Sequence, residues 1–362
     1  MKKYLICTSF GEAFNAASKA RRDAETIAQR AGYIPVIFTG GRTGDGSLRA
    51  AIRLAVSGIR NWRNLMRTVE NGSLVLIQYP HYPLKSAHLM KWILPRAKKK
   101  KGLKFIALIH DLDSVRELHT NGAQYSDREV LPLFDAVICH NEKMKAYLAD
   151  NGLEPERLIP LDFFDYLTEG APDSSARKQE DGMAVAGNLS PEKSGYLTAW
   201  LKKESRRDGK EGELFPVHLY GKGMKEENLP KRVILHGAVP ADQLPGRIRG
   251  GAGLVWDGPE AETCSGPSGS YLKLNNPHKA SLYLAAGMPV FVWREAAIAG
   301  EILEAGAGLA VDTPAQAEEA LRRLTAEEYG RMAENARRIG MEIREGKFLL
   351  RALERAEKRM GG

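Results

Sequence analysis

Two rhythms of apolar and polar residues alternate along this chain. Short runs rich in Val, Ile and Leu recur between longer segments with helical spacing. Tyr4–Thr8 predicts a strand, Phe14–Ala31 a helix that stops at Gly32, and Ile34–Thr39 a second strand. Gly40–Gly46 is too glycine-rich to be anything but a loop, and Leu48–Val69 predicts a long helix. Leu74–Gln78, Phe105–His110 and Ala136–Cys139 predict further strands, with helices between them. Continuous apolar strands alternating with helices imply a parallel sheet covered on both faces.

The rhythm breaks over residues 165–181, which are polar and rich in turn formers. It resumes with Met183–Ala186, Val217–Tyr220, Val233–His236, Gly253–Trp256, Pro289–Trp293 and Leu309–Val311, and turns mostly helical after Thr313. The expected class is α/β, two Rossmann-like doubly wound domains in tandem. One covers residues 1–168 and the other 182–340, with a C-terminal helix over 341–362 suited to packing back on the first. Such sheets bind ligands outside the carboxyl ends of their strands, so the crevice between two of them is the expected site.

Composition narrows the function classes. The chain has 362 residues and a net charge of +8, with 43% hydrophobic and 27% charged residues, which suits a globular protein and excludes a disordered tail or a collagen-like repeat. Three cysteines, Cys7, Cys139 and Cys264, are too few and too scattered for a disulfide framework or a zinc site, so a reducing cytoplasm is expected. No window reaches the ~20 apolar residues of a membrane span. The basic excess suits an anionic partner, but no nucleic-acid-binding signature accompanies it, and no nucleic acid is expected.

The nearest match to a dinucleotide fingerprint, Gly306-Ala-Gly308, lacks the third glycine and precedes a strand; no Gly-x-x-x-x-Gly-Lys-Ser/Thr phosphate loop exists. The stretch Tyr271–Val290 is more informative. Asn276 suits an N-cap and Pro277 a first helical position, so the free N–H groups there favour an anion, with Lys279 in the same turn. Gly258–Ser270 is a long loop suited to folding over a ligand. An ordinary capped helix with a solvated lysine has the same pattern.

The run Asn275–Val290 resembles the C-terminal nucleotide-sugar motif of GT-B glycosyltransferases. With Gly253–Gly258 and Ala285–Trp293, it is similar to one branch. That branch holds the glucosyltransferase that extends N-acetylglucosamine on serine-rich adhesins, and β-1,6-galactofuranosyltransferases. His110-Asp-Leu-Asp113 with Arg116, Cys139-His-Asn-Glu142 and Ala186-Gly-Asn-Leu-Ser190 extend the resemblance over most of the chain. It implies transfer of a glucose- or galactofuranose-type hexosyl group from a UDP-sugar to a hydroxyl of a glycan acceptor. The acceptor would be a glycoprotein or a cell-surface polysaccharide precursor. The UDP-sugar is a substrate, and no cofactor is implied; a homo-oligomer is.

The departing diphosphate then needs cations or oriented N–H groups, for which Lys279 and the Asn276–His278 helix start are candidates. Ser190-Pro191 marks a second helix start, where Asn188 and Lys193 are candidates for phosphate or base contact. Tyr220 is placed to stack on a base or to close the core margin. Many GT-B enzymes carry a ribose-binding glutamate three residues after the motif lysine; here that position is Leu282, leaving Asn275 or Tyr220 for the ribose. An inverting transfer needs a base for the acceptor proton, Asp111 first and His110 second. The Asp111-x-Asp113 spacing, used by another transferase fold to hold a metal, is taken as coincidental, and no metal is expected. The remaining histidines are expected to be structural. A UDP-sugar epimerase of the same architecture and a non-catalytic partner of another transferase are the rival functions.

On the Leu48–Val69 helix, Arg49, Arg53, Arg60, Arg63 and Arg67 fall within an arc of roughly 80°. Ile52, Ile59, Trp62, Leu65, Met66 and Val69 fill the other side, and Arg96 with Lys98–Lys101 forms a second basic cluster. That arrangement suits peripheral contact with the inner face of a membrane. It is equally that of a solvated face over a buried stripe.

Overall fold

The computed structural model describes residues 1–8, 16–39, 48–81, 87–115, 127–168, 177–204, 215–224 and 229–361. The Gly40–Gly46 loop, Phe14 and Arg116 lie outside them. The chain divides into two compact units, Met1–Leu161 with Phe348–Gly362, and Asp162–Lys347. The division falls earlier than residue 168, because the segment after Leu161 is tied into the second unit. There Tyr166 N–H donates to Ile343 O (3.2 Å) and Tyr166 OH to Ala241 O (2.9 Å).

In the first unit, strands β1 (Lys3–Thr8), β2 (Ile34–Phe38), β3 (Leu74–Tyr79), β4 (Lys104–Ile109), β5 (Ala136–Cys139) and β6 (Leu158–Pro160) form one sheet, ordered β2-β1-β3-β4-β5-β6. All its pairings are parallel. β3 is buried along its whole length, as a strand covered on both faces must be. The C-terminal helix Lys347–Arg359 belongs to this unit. Its Glu357 takes hydrogen bonds from Lys3 Nζ (3.1 Å) and Tyr33 OH (3.0 Å), and Arg359 reaches Leu158 O (3.1 Å).

The second unit repeats the principle with β7 (Met183–Asn188), β8 (Val217–Lys222), β9 (Val233–Gly237), β10 (Ala252–Val255), β11 (Val290–Trp293) and β12 (Gly308–Val311). Its order is β12-β11-β10-β7-β8-β9, so the chain runs outward from β7 through β9, then returns to β10 on the other side. The topological switch point lies between β7 and β10. These strands pair only at Ala252–Met183 and Gly253–Ala184, and their carboxyl ends part beyond.

Tyr283, on the buried helix His278–Ala285, bridges that gap. Its hydroxyl accepts from Ala186 N–H on β7 (2.8 Å) and donates to Leu254 O on β10 (3.3 Å). The ring lies flat on β10, where a Cβ at Gly253 would fall 2.2 Å from Tyr283 Cγ. Glycine at 253 is thus what lets this helix sit over the switch point.

Candidate active site

Lys279 stands one helical turn before Tyr283, on the same face of the helix. Docking of Tyr283 therefore carries Lys279 to the carboxyl edge of β7 and β10. The lysine is not a mobile ammonium. Its Nζ donates to Trp256 O (3.1 Å) and to Asp257 Oδ1 (2.5 Å), and its side chain is only 12% exposed. Lys193 Nζ approaches the second oxygen of the same buried carboxylate at 3.6 Å. Asp257 thus gathers both lysines at the switch point. Its place directly after the apolar run Gly253–Trp256 was the available signal, but sequence alone assigns it no partner.

The helix begins one residue later than expected. Pro277 is the N-cap, and Asn276 is buried, donating through Nδ2 to Asp162 O (2.6 Å). Proline has no N–H to satisfy, so it serves at this boundary while Asn276 fastens the segment after Leu161. His278 stacks on Phe164, with ring centroids 4.6 Å apart. Asn275 is half-buried, its Oδ1 enclosed and accepting no hydrogen bond among the described residues.

The second helix starts where expected, with Ser190 at the N-cap and Pro191 next. Pro191–Ser194 is a single turn, and the N–H groups of Lys193 and Ser194 are consumed by Ser190 O (3.0 and 2.7 Å). Ser190 makes no side-chain cap; Asn188 Oδ1 instead accepts from Ser190 N–H (2.9 Å), while Asn188 itself is exposed at the end of β7. Before it, Gly187 has φ +132°, with Lys279 Cε 3.2 Å from where a Cβ would stand. Tyr220 is buried, its ring parallel to His236 at 4.3 Å and its hydroxyl accepting from Arg249 N–H (2.8 Å). The geometry brings Asn188, Lys193 and Lys279 to one edge, and places Tyr220 in a packed layer beside them.

In the first unit, His110 and Asp111 follow β4 and are half-buried. His110 N–H donates to Tyr79 O (2.7 Å). Its ring Nε2 lies 2.7 Å from Gln78 Oε1, and Gln78 Nε2 donates to Glu25 Oε1 (3.1 Å). Because the Gln78 amide nitrogen donates to Glu25, its oxygen faces the imidazole and selects the Nε2–H tautomer. Nδ1 is enclosed. Burial pushes the Glu25 carboxyl up, against hydrogen bonds from the Thr8 amide and Gln78 and the charge of Arg21. Among the described residues, no three His, Cys, Asp or Glu side chains converge as a metal-ligand cluster.

Residues 2–163 match the N-terminal domain and residues 183–356 the C-terminal domain of the Glucosyltransferase 3-like type. The β-1,6-galactofuranosyltransferase WbbI of Escherichia coli K12 is 30% identical over 346 residues, 94% of each chain. The chain belongs to the Glucosyltransferase 3-like family. Glucosyltransferase 3 of Streptococcus gordonii is 28% identical over 305 residues, 81% of this chain and 82% of that protein. The fold is shared more widely. The lipopolysaccharide outer core galactosyltransferase WaaB superposes with a TM-score of 0.59 at 12% identity, over 99% of both chains. Anabaena HepE in complex with UDP gives 0.59 at 11% identity, over 98% of this chain and 99% of that one. The two doubly wound units are those of a GT-B glycosyltransferase.

Proposed function

We propose that this glycosyltransferase moves a hexosyl group, of the glucose or galactofuranose type, from a UDP-sugar to a hydroxyl of a glycan acceptor. The acceptor belongs to a glycoprotein or a cell-surface polysaccharide precursor, and the enzyme works in the cytoplasm as an oligomer of this chain. The observation that carries the reading is the pair of lysines gathered by Asp257 at the switch point of the second sheet. When the anomeric carbon–oxygen bond breaks, its electron pair leaves with the diphosphate. Two fixed ammonium groups and the start of the His278–Ala285 helix stabilise that charge without a metal. Asn188, exposed beside them, donates to phosphate or base, and Asn275 is the candidate for the ribose in place of the acid absent at Leu282. Where the transfer inverts, Asp111 first, or His110 second, takes the acceptor proton. WbbI and glucosyltransferase 3, named for these two sugars, and HepE, in complex with UDP and with UDP-glucose, support this donor class.

A panel of UDP-sugars tests it. The true donor raises the melting temperature through mass action, and UDP is released only when an acceptor glycan is supplied. Turnover of the sugar nucleotide without acceptor would make the protein an epimerase, and binding without turnover a partner of another transferase. Excess chelator leaves the rate intact; loss of activity restored by manganese would instead assign a metal to Asp111 and Asp113.

A further inference from the structure

The helices Leu48–Thr68 and Ala87–Lys101 connect β2 to β3 and β3 to β4, two crossovers in the same direction. Right-handed crossovers of that kind lie on one side of a sheet. The two helices are neighbours there: Lys101 Nζ donates to Val69 O (2.5 Å), just past the end of the first. The outer face differs from the expected one. Ile52 and Ile59, assigned to the buried side, are 55% and 43% exposed, and Val56 between them is 55% exposed. They form a stripe at i, i+4 and i+7 that continues into exposed Arg60, Arg63 and Arg67. On the second helix, exposed Trp92 carries the Arg96 guanidinium over its ring at 4.3 Å, followed by exposed Lys99 and Lys100. Neither helix contains a single Asp or Glu.

We propose that this face of the first unit docks on an anionic lipid surface. A merely solvated helix face intersperses both charge signs and does not expose a branched apolar stripe on one helix and a tryptophan on the next. Basic residues adjoining aliphatic and Trp side chains suit a surface that is anionic at its headgroups and apolar beneath. Glu129 and Asp135 border the second helix, paired with Lys91 (3.5 Å) and Lys98 (2.8 Å), and leave Arg60, Arg63, Arg67, Lys99 and Lys100 as a net basic surface. A second copy of the same face is a poor partner, because a two-fold contact would set two such basic surfaces against each other. The assignment does not depend on which sugar or acceptor the enzyme uses. Among the described residues no helix is long and apolar enough to cross a membrane, so this is surface contact.

The test is cosedimentation of the full chain with vesicles of phosphatidylglycerol and phosphatidylcholine, against vesicles of phosphatidylcholine alone. Binding to the anionic vesicles, weakened by salt, is expected. Changing Arg60, Arg63 and Arg67 to Gln together weakens it about 10²-fold, each basic residue near such a surface being worth roughly fivefold. Ile52→Ser with Val56→Ser and Ile59→Ser weakens it as well, and leaves turnover on a water-soluble acceptor unchanged. A protein that stays in the supernatant at low salt overturns the proposal. So does equal binding to neutral vesicles, or variants that bind like wild type. If the serine variant instead changes the mass of the assembly by light scattering, the face is a contact between copies and the lipid assignment fails.

Discussion

Lys279 and Asp257 form a 2.5 Å ion pair at the point where the second sheet reverses its strand order. Both side chains are largely buried, so the pair is built into the fold and is not a chance surface contact. The carboxylate holds the ammonium where the tyrosine-anchored helix has delivered it. A diphosphate arriving there meets a cation whose position is already fixed, which is the condition for strong stabilisation of developing charge.

Lys279→Ala should therefore lower kcat by about 10²-fold or more, the scale for losing one transition-state donor. It should also cost about 1–3 kcal/mol of stability, because Asp257 is left buried with only the more distant Lys193. Adding Asp257→Asn removes that stranded charge. The double variant should regain most of the melting temperature and none of the turnover. Wild-type kcat in Lys279→Ala would remove the lysine from the mechanism.

The hydrogen-bonded row Glu25–Gln78–His110 leads to a second expectation. If His110 takes the acceptor proton, Gln78→Leu should lower kcat by about tenfold or more, with the donor KM unchanged, because Gln78 orients the ring. The leucine fits a buried strand position, so folding is preserved. Asp111→Asn provides the contrast. If that variant alone loses activity, by about 10²-fold or more, Asp111 is the base and the row is structural.

The alternation of strands and helices was legible in the sequence because parallel strands are apolar throughout and their helices keep a strict period. The start of the Leu48–Thr68 helix and its length followed from that period, but its buried side did not. Trp62, Leu65 and Val69 face the sheet, while Ile52 and Ile59 lie roughly 90–110° from the centre of that arc. A helical wheel shows which residues share a side, not how much of that side the sheet covers. Lys279 and Lys193 were legible as cations near helix starts. Asp257 was not, because its partners lie 22 and 64 residues away in either direction and only the docking of Tyr283 brings them together. Asn276 was misread as a cap because its tie to Asp162 spans 114 residues.

His81 gives the folded state a defined pH dependence. It is buried just after β3, and burial, with the nearby Arg21 charge, holds its ionisation down at about 3, below the usual 6.5. Between those values the unfolded chain binds the additional proton. The contribution of His81 is therefore complete above pH 6.5 and is lost as the pH falls, by about 1.4 kcal/mol per unit. Melting temperatures of the wild type and His81→Phe, measured from neutral to acid pH, should converge or cross as the wild type loses stability faster. Parallel curves would show that His81 is not the group responsible.

Gly187 separates the position of Lys279 from its presence. At φ +132° the backbone suits glycine alone, and a Cβ would press on Lys279 Cε at 3.2 Å. Gly187→Ala should cost about 1–3 kcal/mol in backbone strain. Because it moves the ammonium relative to the diphosphate, it should also lower turnover by about tenfold or more, within the range that misplacement of a catalytic group produces. Gly300→Ala is the matched control. That glycine lies exposed in the helix Ala299–Glu304, with open space at its Cβ position. Alanine there should stabilise the fold by about 0.5–1 kcal/mol and leave kcat unchanged. The comparison is read from kcat and melting temperature together. If Gly187→Ala loses stability in proportion to the strain but turns over like the wild type, the exact placement of Lys279 does not matter to the reaction, and the lysine serves only to hold the loop after β10.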